Sequence, residues 1–197
     1  MKSFVGIVMG SDSDLAVMAD AAKVLEQLGV ESEMRVLSAH RVPEDLVTWI
    51  RDAEKRGCKV FIAGAGMAAA LPGTVAAHTS LPVIGIPLTS ASSVEGGLDA
   101  ILSILQMPPG VPVATVGLNA GKNAAVLAAQ IIGAGDSNVL QNVRMFKEKQ
   151  AQDVLGKDKK LQEKGYKAYL QEKAGAKRAR TQKQAWITHR WSHLRWR

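Results

Sequence analysis

The chain has 197 residues, 47% hydrophobic and 22% charged, a composition that suits one globular domain with an appendage and buries a real core. Its single cysteine, Cys58, excludes an intramolecular disulfide framework and fits a cytoplasmic location, and no apolar stretch reaches membrane-spanning length before Gly or Pro breaks it. The net charge of +7 is a property of one end: residues 1–155 hold 12 Lys+Arg against 15 Asp+Glu, net −3, whereas residues 156–197 hold 13 against 3, net +10.

Met1-Lys2 leads straight into Phe4–Met9, a β-branched apolar run with no small-residue cleavage site after it, so a strand is predicted and a signal peptide is not. Gly10 ends the run, and Ser11-Asp12-Ser13-Asp14 supplies helix-capping residues. Leu15, Met18, Ala22, Leu25 and Leu28 then recur at helical spacing until Gly29 stops the segment. The unit repeats. Glu33–Leu37 reads as a strand, Ser38-Ala39-His40-Arg41 as a loop, and Pro43 opens a helix to about Arg56. Lys59–Ala63 is a third strand, with Cys58 before it as a quiet buried thiol, and Gly64-Ala65-Gly66 follows as a loop. A small-residue helix covers roughly Met67–Thr79, ending near His78. Pro82–Ile86 is the fourth strand, with a helix over about Gly97–Gln106. Val111–Val116 is the fifth, with a helix over Lys122–Ile132. Another helix follows Asp136, with Val139, Leu140, Val143, Met145 and Phe146 as its apolar positions. Beyond about Gly156, Lys and Gln dominate, and this basic extension, helical or disordered, is read as lying outside the core fold.

Five strands alternating with helices imply a parallel sheet covered on both faces: a three-layer α/β sandwich, doubly wound and flavodoxin-like, whose strand order the sequence does not reveal. Ligands of such sheets bind beyond the carboxyl ends of the strands. The informative loops are therefore 10–14, 38–41, 64–67, 87–93 and 117–121.

The first loop offers hydroxyls and backbone N–H groups from Ser11 and Ser13 at a helix N-terminus, and a carboxylate from Asp14 that can accept from sugar hydroxyls. A ribose-phosphate cradle and a plain N-cap cluster both fit. The second sets an imidazole, His40, beside a guanidinium, Arg41. Histidine moves protons near neutral pH and arginine grips phosphate in a fork, although a solvated pair would read the same way. The third, Gly64 to Gly73, has almost no side chain and permits close approach of a flat ligand. It lacks the spacing of a dinucleotide fingerprint, and no phosphate loop of the nucleotide-triphosphatase type occurs. A metal site is not expected: His189 and His193 are four residues apart but have no acidic ligands nearby.

Taken in order, Met9-Gly-Ser-Asp-Ser-Asp14, Ser38-Ala-His-Arg41, Ala63-Gly-Ala-Gly66 with Leu71-Pro-Gly73, Leu81 to Pro87, Ser103 to Pro108 with Gly110 to Val113, and Asn123 to Gln130 resemble the N5-carboxyaminoimidazole ribonucleotide mutase family over about residues 3–155. The resemblance implies a catalytic domain over 1–155 followed by the 156–197 extension, and a homo-octamer. It implies interconversion of N5-carboxyaminoimidazole ribonucleotide and 4-carboxy-5-aminoimidazole ribonucleotide in purine biosynthesis, without metal, ATP or organic cofactor. Matched by motif, His40 is the general acid/base, and Arg41 grips the phosphate. Ser11, Asp12, Ser13, Asp14, Ser38, Gly66, Met67, Ala68 and Leu71 contact the small-molecule ribonucleotide. A functional link to the ATP-dependent synthetase that makes the substrate follows, and no membrane partner is expected. Many relatives read Gly-Gly-Ala-Ala-His before Leu-Pro-Gly. This chain has Met67-Ala-Ala-Ala70, so a histidine is missing at 70 and more weight falls on His40.

Three alternatives remain at this stage. A related class carboxylates aminoimidazole ribonucleotide directly with free CO2, and Arg41 with Gly64-Ala-Gly66 argues against it. A phospho-receiver would use Asp12, Asp14 and Lys122 but gives no reason for the second and third loops. The extension, with Lys177-Arg178-Ala179-Arg180 and three tryptophans in its last dozen residues, could bind RNA by charge and stacking, or be a solvated arm.

Overall fold

The computed structural model describes the backbone of residues 3–192 and the side chains of residues 3–175. The chain divides into two compact units, Met1–Phe146 and a second beginning at Lys147.

In the first unit, five strands, β1 (Phe4–Met9), β2 (Glu31–Val36), β3 (Cys58–Gly66), β4 (Val83–Leu88) and β5 (Ala114–Thr115), form one sheet in the order β2-β1-β3-β4-β5. Every pairing is parallel. That order is the flavodoxin-like one, so the three-layer sandwich expected from the alternation is borne out. On one face the sheet's Val5, Ile7, Met9, Val60, Ile62, Ile84 and Ile86 pack against α1 (Leu15–Gln27), α5 (Gly121–Gly133) and the start of α6 (Ser137–Ser192). On the other, Phe4, Val8, Phe61 and Ala63 pack against α2 (Pro43–Lys55), α3 (Ala70–Ala77) and α4 (Leu98–Leu105). Successive strand residues point to opposite faces. The unbroken apolar run of β1 therefore feeds both cores, which is why it carries no polar alternation.

Several predicted boundaries need correction. β3 runs on through Gly64-Ala65-Gly66, which the sequence suggests as a loop. Gly64 is paired with Met9 on one side and Ile86 on the other, and this central position keeps the backbone extended. A Cβ on Gly64 would lie 2.5 Å from the Met18 sulfur, so these glycines make room rather than turns. α3 accordingly begins at Ala70, not at Met67. β5 shrinks from Val111–Val116 to two residues, because Pro112 supplies no N–H and the strand lies at the sheet edge. β2, at the opposite edge, is Glu31–Val36 rather than Glu33–Leu37, so it starts two residues earlier and ends one residue earlier.

An ionic lock holds β2 to α2. Trp49 donates from Nε1 to Glu33 at 2.7 Å, and Arg56 donates to the second Glu33 oxygen at 2.5 Å and to Asp52 at 2.6 Å. Arg56 also lies over the Phe4 ring, and Trp49 meets Phe61 edge-on. The Arg56 guanidinium is the main influence holding the Glu33 carboxyl below the usual carboxylate range, and the Trp49 N–H adds to it against the opposing effect of burial. A carboxyl depressed in the folded state stabilises the fold above its unfolded value, and that stability is lost as pH falls through the folded value. Glu33→Gln should therefore lower the denaturant midpoint at neutral pH. The gap to wild type should close in acid, and urea melts at both pH values would read it.

Cys58 is buried, its thiol donates to the Val60 carbonyl at 3.4 Å, and burial pushes it up to about 11. That fits the expected quiet thiol. In the second unit, α6 is broken at Gly165 (φ 73°, ψ 157°), and Lys164 pairs with Glu172 across the break. The basic run at 177–180, the Trp/Arg-rich end, His189 and His193 lie outside the residues whose side chains are described.

Candidate active site

In the order β2-β1-β3, the chain leaves β1 in one direction and reaches β3 in the other. A crevice opens at that reversal, outside the strands' carboxyl ends. A cleft of about 230 Å³ lies there, formed by the segments that follow β1, β2 and β3, with one residue from the loop after β4.

The β1 segment supplies Gly10, Ser11, Ser13 and Asp14. Ser11 is extended (φ −148°, ψ 151°) and caps a one-turn 3-10 helix at Asp12–Asp14. Its hydroxyl accepts from the Ser13 N–H at 3.3 Å and from the Ser13 hydroxyl at 2.9 Å. The N-cap reading is therefore borne out, and the same loop lines the cleft. Asp12 does not line the cleft. It is exposed, and its carboxylate accepts from the Ser11 hydroxyl at 3.4 Å, so a direct substrate contact by Asp12 finds no support in the cleft geometry.

The β2 segment supplies Ser38, Ala39, His40 and Arg41. The Arg41 and Val42 N–H groups turn back to the Ser38 carbonyl at 3.3 and 3.0 Å, a tight turn that ends where Pro43 starts α2. The turn presents both side chains to the cleft. Arg41 reaches across to donate to the Gly10 carbonyl at 2.6 Å, tying the second loop to the first. His40 is exposed and has no hydrogen-bond partner among the described residues, so no carboxylate among them orients its ring.

The β3 segment supplies Ala65, Gly66, Met67, Ala68, Ala70 and Leu71. A Cβ on Gly66 would sit 2.8 Å from the Leu88 carbonyl oxygen of the neighbouring strand, so only glycine fits there. The bare wall follows from sheet packing as much as from ligand access.

The cleft thus joins His40 with Ser11, Ser13, Asp14, Ser38, Arg41, Gly66, Met67, Ala68 and Leu71. Gly10, Ala39, Ala65, Ala70 and Ser90 also line it and were not singled out as contacts. All but Ala70 lie in or beside loops marked by position after a strand. Small residues and a lone serine carry no chemical signal of their own. Ala70 places a methyl at the N-terminus of α3 where an imidazole could stand, and His78 caps the other end of that helix in solvent. His40 is the one imidazole among the described residues of the cleft.

Burial raises the Asp14 carboxyl, partly offset by hydrogen bonding from Ser13 and Ser11, with the Asp12 charge a smaller upward influence. A carboxyl raised in the folded state is ionised at a cost, so the fold loses stability as pH climbs from the unfolded to the folded value. Asp14→Asn is expected to melt higher than wild type at neutral pH and level with it in acid, while binding substrate more weakly. Thermal melts and KM measured on one preparation would test both halves.

The pattern of the AIR carboxylase family matches residues 4–153. The chain is 50% identical over 169 residues to the N5-carboxyaminoimidazole ribonucleotide mutase of Thermotoga maritima, covering 86% of this chain and 98% of that one. It is 53% identical over 167 residues to the mutase of Pyrococcus abyssi, covering 85% and 95%. The phosphoribosylaminoimidazole carboxylase of Saccharomyces cerevisiae is 51% identical over 173 residues, 88% of this chain but 30% of that longer one. Among solved structures, Treponema denticola PurE superposes with a TM-score of 0.74 at 34% identity, covering 81% of this chain and 99% of that chain.

Proposed function

The chain belongs to the AIR carboxylase family, and from that premise we propose that it is an N5-carboxyaminoimidazole ribonucleotide mutase of purine biosynthesis with His40 as general acid and base. The observation that carries this reading is the meeting, in one small cleft, of a single imidazole, a guanidinium, a hydroxyl-lined helix start and a wall almost without side chains.

The chemistry uses these parts in turn. The ribose phosphate lies against Ser11, Ser13 and Arg41, with the sugar hydroxyls toward Asp14. Arg41 exchanges the Gly10 carbonyl for phosphate oxygens, a charge-assisted gain over a neutral acceptor. His40, as imidazolium, protonates the carbamate nitrogen. The N–C bond breaks, CO2 departs neutral, and the electron pair stays on nitrogen. The aminoimidazole so formed is nucleophilic at C4, attacks the held CO2, and loses its C4 proton to His40. One proton is given and one recovered, so the atoms balance without a co-reactant. A ring free of a carboxylate partner can reach both the nitrogen and C4.

Two features support further parts of the reading. α4 turns Leu98, Leu102 and Leu105 outward, 45–55% exposed, with Val94 and Leu118 also exposed. An apolar stripe of this kind favours subunit packing, consistent with a homo-octamer. Among the described residues no helix is long and apolar enough to cross a membrane, and the quiet thiol suits the cytoplasm. Most of the longer yeast relative lies outside the match, which leaves room for a companion activity and favours a link to the ATP-dependent synthetase. The catalytic domain is taken as 1–155, with 156–197 an appended basic extension.

The test is interconversion of the two carboxylated ribonucleotides by the purified full chain, without ATP or added bicarbonate. Turnover is the expected result. Product formed only from aminoimidazole ribonucleotide and bicarbonate would make it a carboxylase instead.

A further inference from the structure

The loops after β4 and β5 stand beside the three that form most of the cleft, and they are tied to each other. Asn119, in the loop after β5, sits at φ 54°, a left-handed backbone that asparagine tolerates. Its backbone N–H donates to the Pro87 carbonyl at 2.8 Å. Its amide oxygen accepts from the Thr89 N–H at 3.0 Å, and its amide nitrogen donates to the Thr89 hydroxyl at 2.7 Å. One residue thus fixes the path by which the chain leaves β4. Thr89 is backed from another side as well, since a Cβ on Gly97 would lie 2.9 Å from the Thr89 methyl carbon. Asn119 and Thr89 are exposed and do not line the cleft, so this grip serves neither the core nor the ligand directly.

The residue it places is Ser90, which does line the cleft. The Ser90 N–H donates to the Ser93 hydroxyl at 2.8 Å, and the Ser92 N–H donates to the Ser90 hydroxyl oxygen at 3.3 Å. The two hydroxyl oxygens stand 3.4 Å apart, too far for Ser93 to hold the Ser90 proton against a charged acceptor. Ser90 therefore offers the cleft an O–H donor. The order of the strands says which end of a ligand meets it. Gly66 pairs with Leu88, so Ser90 stands beyond the bare wall, on the side of β3 away from the Ser11 and Ser13 hydroxyls that follow β1. A phosphate held by the β1 loop and Arg41 leaves the base, with its carboxyl group, as the part of the ligand over the wall and toward β4.

We propose that Ser90 donates a hydrogen bond to the carboxylate carried by the base, and that Asn119 is a positioning residue that holds Ser90 in place to do so. This rests on the mutase reading above. The carboxylate is what both carboxylated ribonucleotides have and aminoimidazole ribonucleotide lacks. A donor aimed at it distinguishes them, and a hydrogen bond to a charged group is among the stronger ones.

The experiment compares the full chain with its Ser90→Ala, Asn119→Gly and doubly substituted variants. Two constants are measured for each: kcat/KM for 4-carboxy-5-aminoimidazole ribonucleotide, and the inhibition constant of aminoimidazole ribonucleotide as a competitor without bicarbonate. Glycine accepts the Asn119 backbone, so Asn119→Gly removes the grip and keeps the turn. Ser90→Ala should lower kcat/KM about tenfold and leave the inhibition constant within about twofold of wild type. A change that merely loosened the cleft would weaken both ligands alike. Asn119→Gly should show the same split, and the double variant should lose no more than Ser90→Ala alone, because Asn119 acts through Ser90. Both constants moving together in Ser90→Ala, or neither moving, would overturn the proposal while leaving the mutase reading intact. Additive losses in the double variant would overturn the part assigned to Asn119. No interconversion by wild type would overturn that reading and this proposal with it.

Discussion

Replacing His40 with asparagine should abolish interconversion of the two carboxylated ribonucleotides, by about a thousandfold or more, at the upper end of what a single acid–base group supplies. The same imidazole gives a proton to nitrogen and takes one from C4, so both halves fail together. Asparagine keeps the approximate size and can still donate a hydrogen bond, but it cannot carry a proton from one atom to the other. The fold should not notice. His40 is exposed and bonds no group among the described residues, so the change in stability belongs with surface substitutions, within about 0.5 kcal/mol. Turnover and thermal melting measured on one preparation separate the two effects. An asparagine variant that turns over within tenfold of wild type would remove His40 from the mechanism, since with Ala70 at its position no second imidazole lines the cleft among the described residues.

Gly121→Ala should have the opposite profile, a large loss of stability from one methyl group. A Cβ at this first residue of α5 would stand 2.3 Å from the backbone oxygen of Val17, in the first turn of α1. A flexible side chain could swing away, but a helix carbonyl cannot move without its helix. The two helices meet through Ala124, Ala125, Ala128 and Ala129, all buried, and no slack lies between them. Overpacking against such a contact costs about 3 kcal/mol. For a domain of this size that lowers the melting temperature by roughly 10 °C. The damage should reach the site as well, because α1 carries Ser13 and Asp14 at its start. KM should therefore rise in whatever protein remains folded. Gly10→Ala is the control for stability, since a Cβ there meets nothing within 4 Å. Its melting temperature should lie within about 2 °C of wild type. Equal melting of the two variants would show that α1 and α5 can part at little cost.

How far the sequence reached is clearest in the three loops. Gly10 to Asp14, Ser38 to Arg41 and Gly64 to Met67 are each marked by position after a strand. Alternation of strand and helix forces those loops to one edge of a parallel sheet, whatever the strand order. Sequence therefore determined the fold class, the two-faced burial of β1 and β3, and which loops share an edge, because hydrophobic periodicity and right-handed crossover are local rules. It also named His40, since a proton-moving side chain beside an arginine is visible without coordinates.

Only the tertiary structure decided the rest. The order β2-β1-β3 put the first three loops around one crevice, and nothing in a single strand states its neighbours. Gly64 and Gly66 read in sequence as a turn and are strand, because pairing with both β1 and β4 at Gly64 and with β4 at Gly66, not local preference, holds that backbone straight. Asp12 and Asp14 are alike in sequence, yet one stands in solvent beside the Ser11 hydroxyl and the other is half-buried in the cleft with its carboxyl raised. Met67 reads in sequence as one more helical methionine. Its left-handed backbone arises because Gly66 is fixed to the sheet while Ala70 must start a helix, and of the three residues between them Met67 takes the positive φ of the change of direction.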